Sequence, residues 1–544
     1  MPSKLIVLFF LAAPLAVPFF GAAQTRLQPT KTQASSPVEM RVVATFAAAR
    51  QRGPLALQAF LHEMPKGADL HMHLSGAIYA ETFIKDAVKD HLCVDMAKLA
   101  FVRSAETTKV ICAPGTLPAA AAFTDQKLYD ELVDSFSMRS FEPTPGISGH
   151  DQFFSTFERF GETSRDHQGE WLDEVATRAA AQNEQYLEVM MTPAFTHART
   201  VALKIGWPTP LSFATTALPE TADDVSGTTP AELARLREKL FASGLRDEVA
   251  IDRDEIDGAL AERKRLEHCE TPQALPACTV EIKVIYQILR AFVPEQVFAQ
   301  TLLGFEVASA DPNVVGLNFV QPEDAYFAMS EYSRQMHMLD YLHTAYPKIH
   351  ISLHAGELAP GLVPPAGLAF HIREAVELGH AERIGHGVDV MYERNPQALL
   401  DELHQRHVMI EINITSNDGI LGIKAPNHPL PDYRAAHVPV SLNTDDEGVS
   451  RIDLTHEYTR AALEFGLGYL DLKQMARTGL EHTFLPGESL WATPDDFSRT
   501  VTSCARQPLG AEPLTACADF LKTSPHAHQQ WELERRFRIF EQAR

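Results

Sequence analysis

Seven residues in four short segments have types and spacings suited to metal-assisted hydrolysis. His71 and His73 stand in LHMH, His354 and Glu357 in LHAGE, His386 in IGHG, and Asp445 and Asp446 in LNTDD. Imidazole and carboxylate are donors that divalent ions take readily from protein. His71, His73, His354 and Asp445 make a set that suits zinc and leaves a position for water, whose pKa falls to about 7 when bound. His71 and His73 are two residues apart, so on a strand both point to one side. Glu357 follows His354 by three residues, across a glycine that permits a tight turn. A partly buried carboxyl there has a raised pKa and can carry and deliver a proton. His386, between two glycines, can take a proton from the bound water, or orient it and stabilise developing charge. Asp446 can hydrogen-bond a ligand or that water.

Residues so far apart in sequence need a frame that gathers them. Eight apolar or β-branched runs alternate with helical patterns: 68–73, 186–192, 281–288, 314–320, 349–354, 383–387, 408–414 and 438–444. This alternation predicts a parallel sheet, and eight units predict a closed (β/α)8 TIM barrel. His73, His354, His386 and Asp445 all fall at the C-terminal ends of their runs, where barrel enzymes place their chemistry. The predicted organisation is a leader at 1–23, a polar exit and leading helices at 24–63, and a barrel at 64–495. A C-terminal segment follows at 496–544. Within the barrel, insertions at about 88–130 and 200–278 follow strands and are expected on the active-site face.

PKGADLHMHLSG, SLHAGE, RIGHG and SLNTDD resemble the signatures of the adenosine deaminase family within the metal-dependent amidohydrolases. The resemblance runs from about residue 60 to about 490. The P-K-G lead-in, the exported chain and the cysteine-bearing insertion after the first strand resemble the secreted, growth-factor-related branch. It implies hydrolytic removal of ammonia from C6 of adenosine and of 2′-deoxyadenosine. His71, His73, His354 and Asp445 would hold one Zn2+, Glu357 would protonate purine N1, His386 would act on the attacking water, and Asp446 would contact the purine near N7. Ser75 and Gly76, in HLSG, fall in the substrate-binding segment, but classical members carry Asp where Ser75 stands. Gln321 occupies a position where a glycine backbone usually meets the purine. Phe154 and Phe157, with Phe153, are placed to form an aromatic wall over the substrate. The alternatives are another aminopurine or cyclic amide as substrate, or a secreted purine-binding or signalling protein without catalysis. Ring-opening relatives use a bridging lysine, for which Lys283 and Lys348 are the nearest candidates.

The formal net charge of −23 opposes contact with nucleic acid and anionic lipid, so the expected partner is a small purine nucleoside. MPSKLIVLFFLAAPLAVPFFGAAQ reads as a cleaved secretory leader, short for a membrane span, which places the mature chain in the periplasm or outside the cell. No other segment is long and apolar enough for a bilayer. Six cysteines in an exported chain suggest disulfides. Of fifteen connectivities we favour the sequential one: Cys93 with Cys112, Cys269 with Cys278, Cys504 with Cys517. The helices at 41–63 and the insertion at 88–130 are candidate homodimer surfaces.

Overall fold

A computed structural model describes residues 36–104, 110–209 and 225–544. The expected leader lies outside the described residues. β1 (Gly67–His73) opens the barrel, and the first insertion contributes β2 (Cys93–Asp95), β3 (Ala100–Val102) and β4 (Thr116–Pro118). The barrel continues through β5 (Glu184–Met191), β6 (Glu281–Leu289), β7 (Val314–Val320), β8 (His350–Ala355), β9 (Arg383–His386), β10 (Met409–Ile412) and β11 (Val440–Leu442). The eight barrel strands neighbour one another in that order, all parallel, while β3, β2 and β4 form a separate antiparallel sheet. Every residue of β1 and β5 is buried, as expected of strands enclosed on both faces.

All eight expected runs form barrel strands, but the last two are shorter than predicted. Ile414 already begins the helix Ile414–Leu421, which truncates the run 408–414. β11 stops at Leu442 because polar side chains take over its ladder to β1. Leu70 N–H donates to Asn443 Oδ1 (3.0 Å), and Thr444 N–H to Asp69 Oδ2 (3.0 Å). Backbone bonding then resumes, with Asp445 N–H donating to the His71 carbonyl (2.8 Å). This seam closes the barrel.

The polar exit ends earlier than expected. Ser36 accepts from Glu39 N–H and Pro37 occupies the first helical position, so the first leading helix spans Pro37–Arg52. A second, Pro54–Glu63, packs its Phe60 edge-on against Phe540 of the final helix Pro525–Gln542. The three sequential disulfides are all present. Residues 74–183 supply helices and loops to the cavity mouth. Residues 193–280 follow β5. Among those described, none lines the cavity, and their helices Pro230–Ala242 and Leu245–Leu266 pack against each other and against outer helices. Leu233, Leu236, Leu240 and Ile256 are buried on these helices, and Glu255 of the second accepts from Arg165 at the cavity wall (2.9 Å). No described helix is long and apolar enough to cross a membrane.

Lys66, fully buried beneath β1, ties three elements together. Its ammonium donates to the carbonyls of Leu61 (2.8 Å), Met64 (3.2 Å) and Gln182 (2.6 Å), joining the second leading helix and the chain entering β5 to the start of β1. A buried charge whose donors are all used stabilises its surroundings, and removing it strands the acceptors. Lys66→Met is expected to lower stability by about 3 kcal/mol. Thermal unfolding checks this, and an unchanged midpoint would show that the buried carbonyls do not depend on Lys66.

Candidate metal and proton-transfer site

The seam brings two donor-bearing segments together, and β8 and β9 bring the rest. His71 Nε2 and His73 Nε2 each lie 3.1 Å from His354 Nε2. Asp445 Oδ1 lies 3.4 Å from His71 Nε2 and 3.2 Å from His73 Nε2. A tetrahedral ion with bonds of about 2.0–2.1 Å separates its ligands by about 3.3–3.4 Å. Three imidazole nitrogens and a carboxylate oxygen are therefore spaced as the edges of such a site.

The far side of each ring explains why Nε2 faces inward. His71 Nδ1 donates to Glu411 Oε2 (2.6 Å), His73 Nδ1 to Gln287 Oε1 (2.9 Å) and His354 Nδ1 to Asn318 Oδ1 (2.6 Å). A carboxylate or amide oxygen only accepts, so each Nδ1 carries the hydrogen and each Nε2 lone pair is free for a metal. Sequence reading missed Glu411, Gln287 and Asn318. The available signal was a polar residue inside an otherwise apolar strand, on β10, β6 and β7.

Electrostatics favour positive charge at the centre. Burial opposes ionisation of His71, but hydrogen bonds to Asp445 and Glu411 outweigh it and push the imidazole up to about 10. Burial likewise opposes a charged Asp445, yet His71 and His73 hold it well below the usual carboxylate range. Burial, with His71 and His73 close by, drives His354 well below its ordinary value. The proton that His71 attracts marks where a divalent cation would sit; binding would displace it, leaving imidazole nitrogens and the Asp445 anion as donors.

Glu357 sits where a proton donor is needed. The turn ahead of it passes through Gly356 at φ +73°, in the left-handed region that suits glycine. Glu323, also missed, anchors that turn by accepting from the N–H groups of Gly356 (3.1 Å) and Glu357 (2.8 Å). Burial raises the Glu357 carboxyl well above its ordinary value, reinforced by the charges of Asp445 and Glu323, which favours its protonated form. His386 Nδ1 is 3.7 Å from Glu357 Oε1, and His386 Nε2 is 3.8 Å from Asp445 Oδ2. Burial raises Asp446 to about 8, with Asp445 adding to the shift against the opposing effect of His73. His386 and Asp445 both adopt left-handed backbone (φ +70° and +61°), a conformation non-glycine residues keep only where surroundings enforce it.

These groups open into a cavity of about 530 Å³, which Ser75, Phe153, Phe154, Phe157, Gln321, Glu357, His386 and Asp446 help to line. That volume suits a small organic molecule. Phe153 is buried in the core, while Phe154 and Phe157 remain partly open on the same helix, Gly149–Phe160. Gly76, expected at the substrate, does not line the cavity. A Cβ there would meet Asp446 Oδ1 at 1.4 Å, so its part is to leave room for that carboxylate. Gln321 keeps a left-handed backbone (φ +89°) and turns Oε1 to the Ala291 N–H (2.9 Å). Lys283 reaches Asn313 and the Pro312 carbonyl, and Lys348 lies beside His350 at the start of β8, so neither approaches the donor cluster.

Residues 268–493 match the family model described as adenosine deaminase. Adenosine deaminases of Escherichia coli strains K12 and SE11 are each 41% identical over 140 residues, which cover 26% of this chain and 39% of theirs. The chain thus spans 39% of the length of these curated relatives in the matched region. An adenine deaminase from Arthrobacter aurescens superposes with a TM-score of 0.49 at 16% identity, over 78% of this chain and 94% of that one. The N6-methyl-AMP deaminase of Arabidopsis thaliana gives a TM-score of 0.46 at 17% identity, over 79% and 94%.

If the Nδ1 partners orient the rings, Gln287→Leu should weaken metal affinity about 10- to 100-fold. Competition against a chromophoric chelator measures this. Unchanged affinity would show that His73 needs no such support.

Proposed function

We propose that this chain, whose residues 268–493 match the adenosine deaminase family model, hydrolyses adenosine and 2′-deoxyadenosine to the corresponding inosine and ammonia. The observation that carries the reading is a buried carboxyl, Glu357, on the wall of an aromatic-lined cavity beside a three-histidine, one-aspartate cluster. Zinc fits that donor set, and when bound it supplies a Lewis acid that activates water at neutral pH. His71, His73, His354 and Asp445 would hold the ion.

Addition of water to C6 pushes electrons onto N1 of the purine. Glu357 gives its proton to N1, which keeps the ring neutral as the C6–O bond forms; the C6–N6 bond then breaks, one proton of the added water leaving with the amine as ammonia and the other restoring the Glu357 carboxyl. His386 and Asp446 face the attacking oxygen, orienting it and stabilising its changing charge. Phe154 and Phe157 cover the apolar faces of the ring and exclude water. Among the described residues no lysine lines the cavity, which favours this chemistry over opening of a cyclic amide by a lysine-bridged pair of metals.

Export is part of the same proposal. The leader at 1–23 has secretory composition, and three disulfides suit an oxidising compartment outside the cytosol. We place the homodimer contact, if the exported chain pairs, on the leading helices and the first insertion.

The decisive experiment follows the ultraviolet change as adenosine becomes inosine, using the mature chain loaded with zinc. Glu357→Gln, which keeps the shape but has no acidic proton, is expected to cut kcat by about 10²- to 10⁴-fold. Turnover equal to the parent would remove Glu357 from the mechanism, and inactivity of the parent on every aminopurine would sink the deaminase reading. Chelation should abolish turnover and added zinc restore it. Activity that survives complete metal removal would contradict the assignment of the donor cluster.

A further inference from the structure

A directional chain of hydrogen bonds reaches His386 from outside the cavity. It begins at the Leu430 N–H, which donates to His428 Nδ1 at 3.1 Å. A nitrogen that accepts carries no hydrogen, so the proton of the neutral His428 ring is on Nε2. Burial keeps that ring neutral by lowering it to about 4. His428 Nε2 therefore donates to Asn417 Oδ1 at 3.0 Å. This fixes the amide, which then presents Nδ2 to His386 Nδ1 at 2.9 Å. All three side chains are fully or almost fully buried. The other groups near His386 are more distant: Asn413 Nδ2 lies over the ring at 3.4 Å from Nδ1 and 3.5 Å from Nε2, Glu357 Oε1 is 3.7 Å from Nδ1, and Asp445 Oδ2 is 3.8 Å from Nε2.

We infer that Asn417 and His428 are positioning residues that fix the tautomer and ring plane of His386, so that it faces the reacting oxygen as an Nε2–H donor. The inference rests on the deaminase reading only for what that oxygen is. The tautomer follows from the polarity of the chain, because each link has a donor that cannot accept or an acceptor that cannot donate in that state. The starting N–H belongs to the backbone and cannot change its sense. Of the two roles open to His386, the chain selects the second: it orients and stabilises the oxygen, and does not remove its proton through a bare Nε2. Its ring contrasts with those of His71, His73 and His354, where acceptors at Nδ1 leave Nε2 bare. One cluster thus holds two opposite tautomers, each set by what lies behind the ring.

Protein carrying 15N-histidine, with His386 resonances assigned by His386→Gln, reads the tautomer directly. The expected spectrum has His386 Nε2 protonated and Nδ1 bare. Asn417→Asp keeps the side-chain shape but can only accept, so the proton should move to Nδ1. With full metal content, kcat should then fall by about 10²-fold or more while KM changes little. His428→Phe keeps a ring in place but frees the Asn417 amide to turn, and should give mixed resonances and a smaller loss. A parent spectrum with Nδ1 protonated would overturn the inference. So would a fully metallated Asn417→Asp protein with kcat within about twofold of the parent. If the parent deaminates nothing, the deaminase reading fails while the nitrogen spectrum still decides the tautomer.

Discussion

The seam between the first and last barrel strands is the contact on which both fold and site depend. β11 is only three residues long, and its partnership with β1 continues through side chains. Asn443 and Asp69 stand in for missing ladder acceptors, after which Asp445 pairs with the His71 carbonyl. Closing a barrel removes its exposed edges, so this join carries a structural duty whatever the chemistry. The same few residues place Asp445 Oδ1 3.4 Å from His71 Nε2 and 3.2 Å from His73 Nε2. A shift of one residue in that register would turn the donors away from the lumen.

The next constraint is directional. Several imidazoles crowd into one buried space, and a ring nitrogen is useful only if its hydrogen is on the correct side. Glu411, Gln287 and Asn318 decide this for the three clustered histidines, and Asn417 decides it in the opposite sense for His386. Glu323 performs the equivalent service for Glu357 by gripping the turn that carries it. Arg290 supports the same turn by donating to the His354 carbonyl at 2.9 Å. Left-handed backbone at His386, Asp445 and Gln321 is sustained by this surrounding network.

Much of the frame was legible from residues alone. Alternating apolar runs located all eight barrel strands, because a parallel strand buried on both faces leaves an unbroken apolar stretch. The cysteine pairs were also legible, since each closes a short local loop. Strand ends were less so: β10 and β11 stop early for reasons that lie in helix initiation and in the seam. Gly76 was expected at the substrate, whereas its role concerns the volume of Asp446.

The sequence by itself determined the types of the reacting groups and the strand ends that carry them, because strand periodicity and glycine-flanked turns are local properties. Tertiary structure alone decided which partner stands behind each ring. Glu411 is 340 residues from His71 and Gln287 is 214 from His73, separations at which no local pattern reports a contact. Proton position depends on such neighbours, since an imidazole has two nearly equivalent nitrogens and only its surroundings choose between them. The donor list is thus a property of the chain, and the assignment of donor and acceptor is a property of the closed barrel.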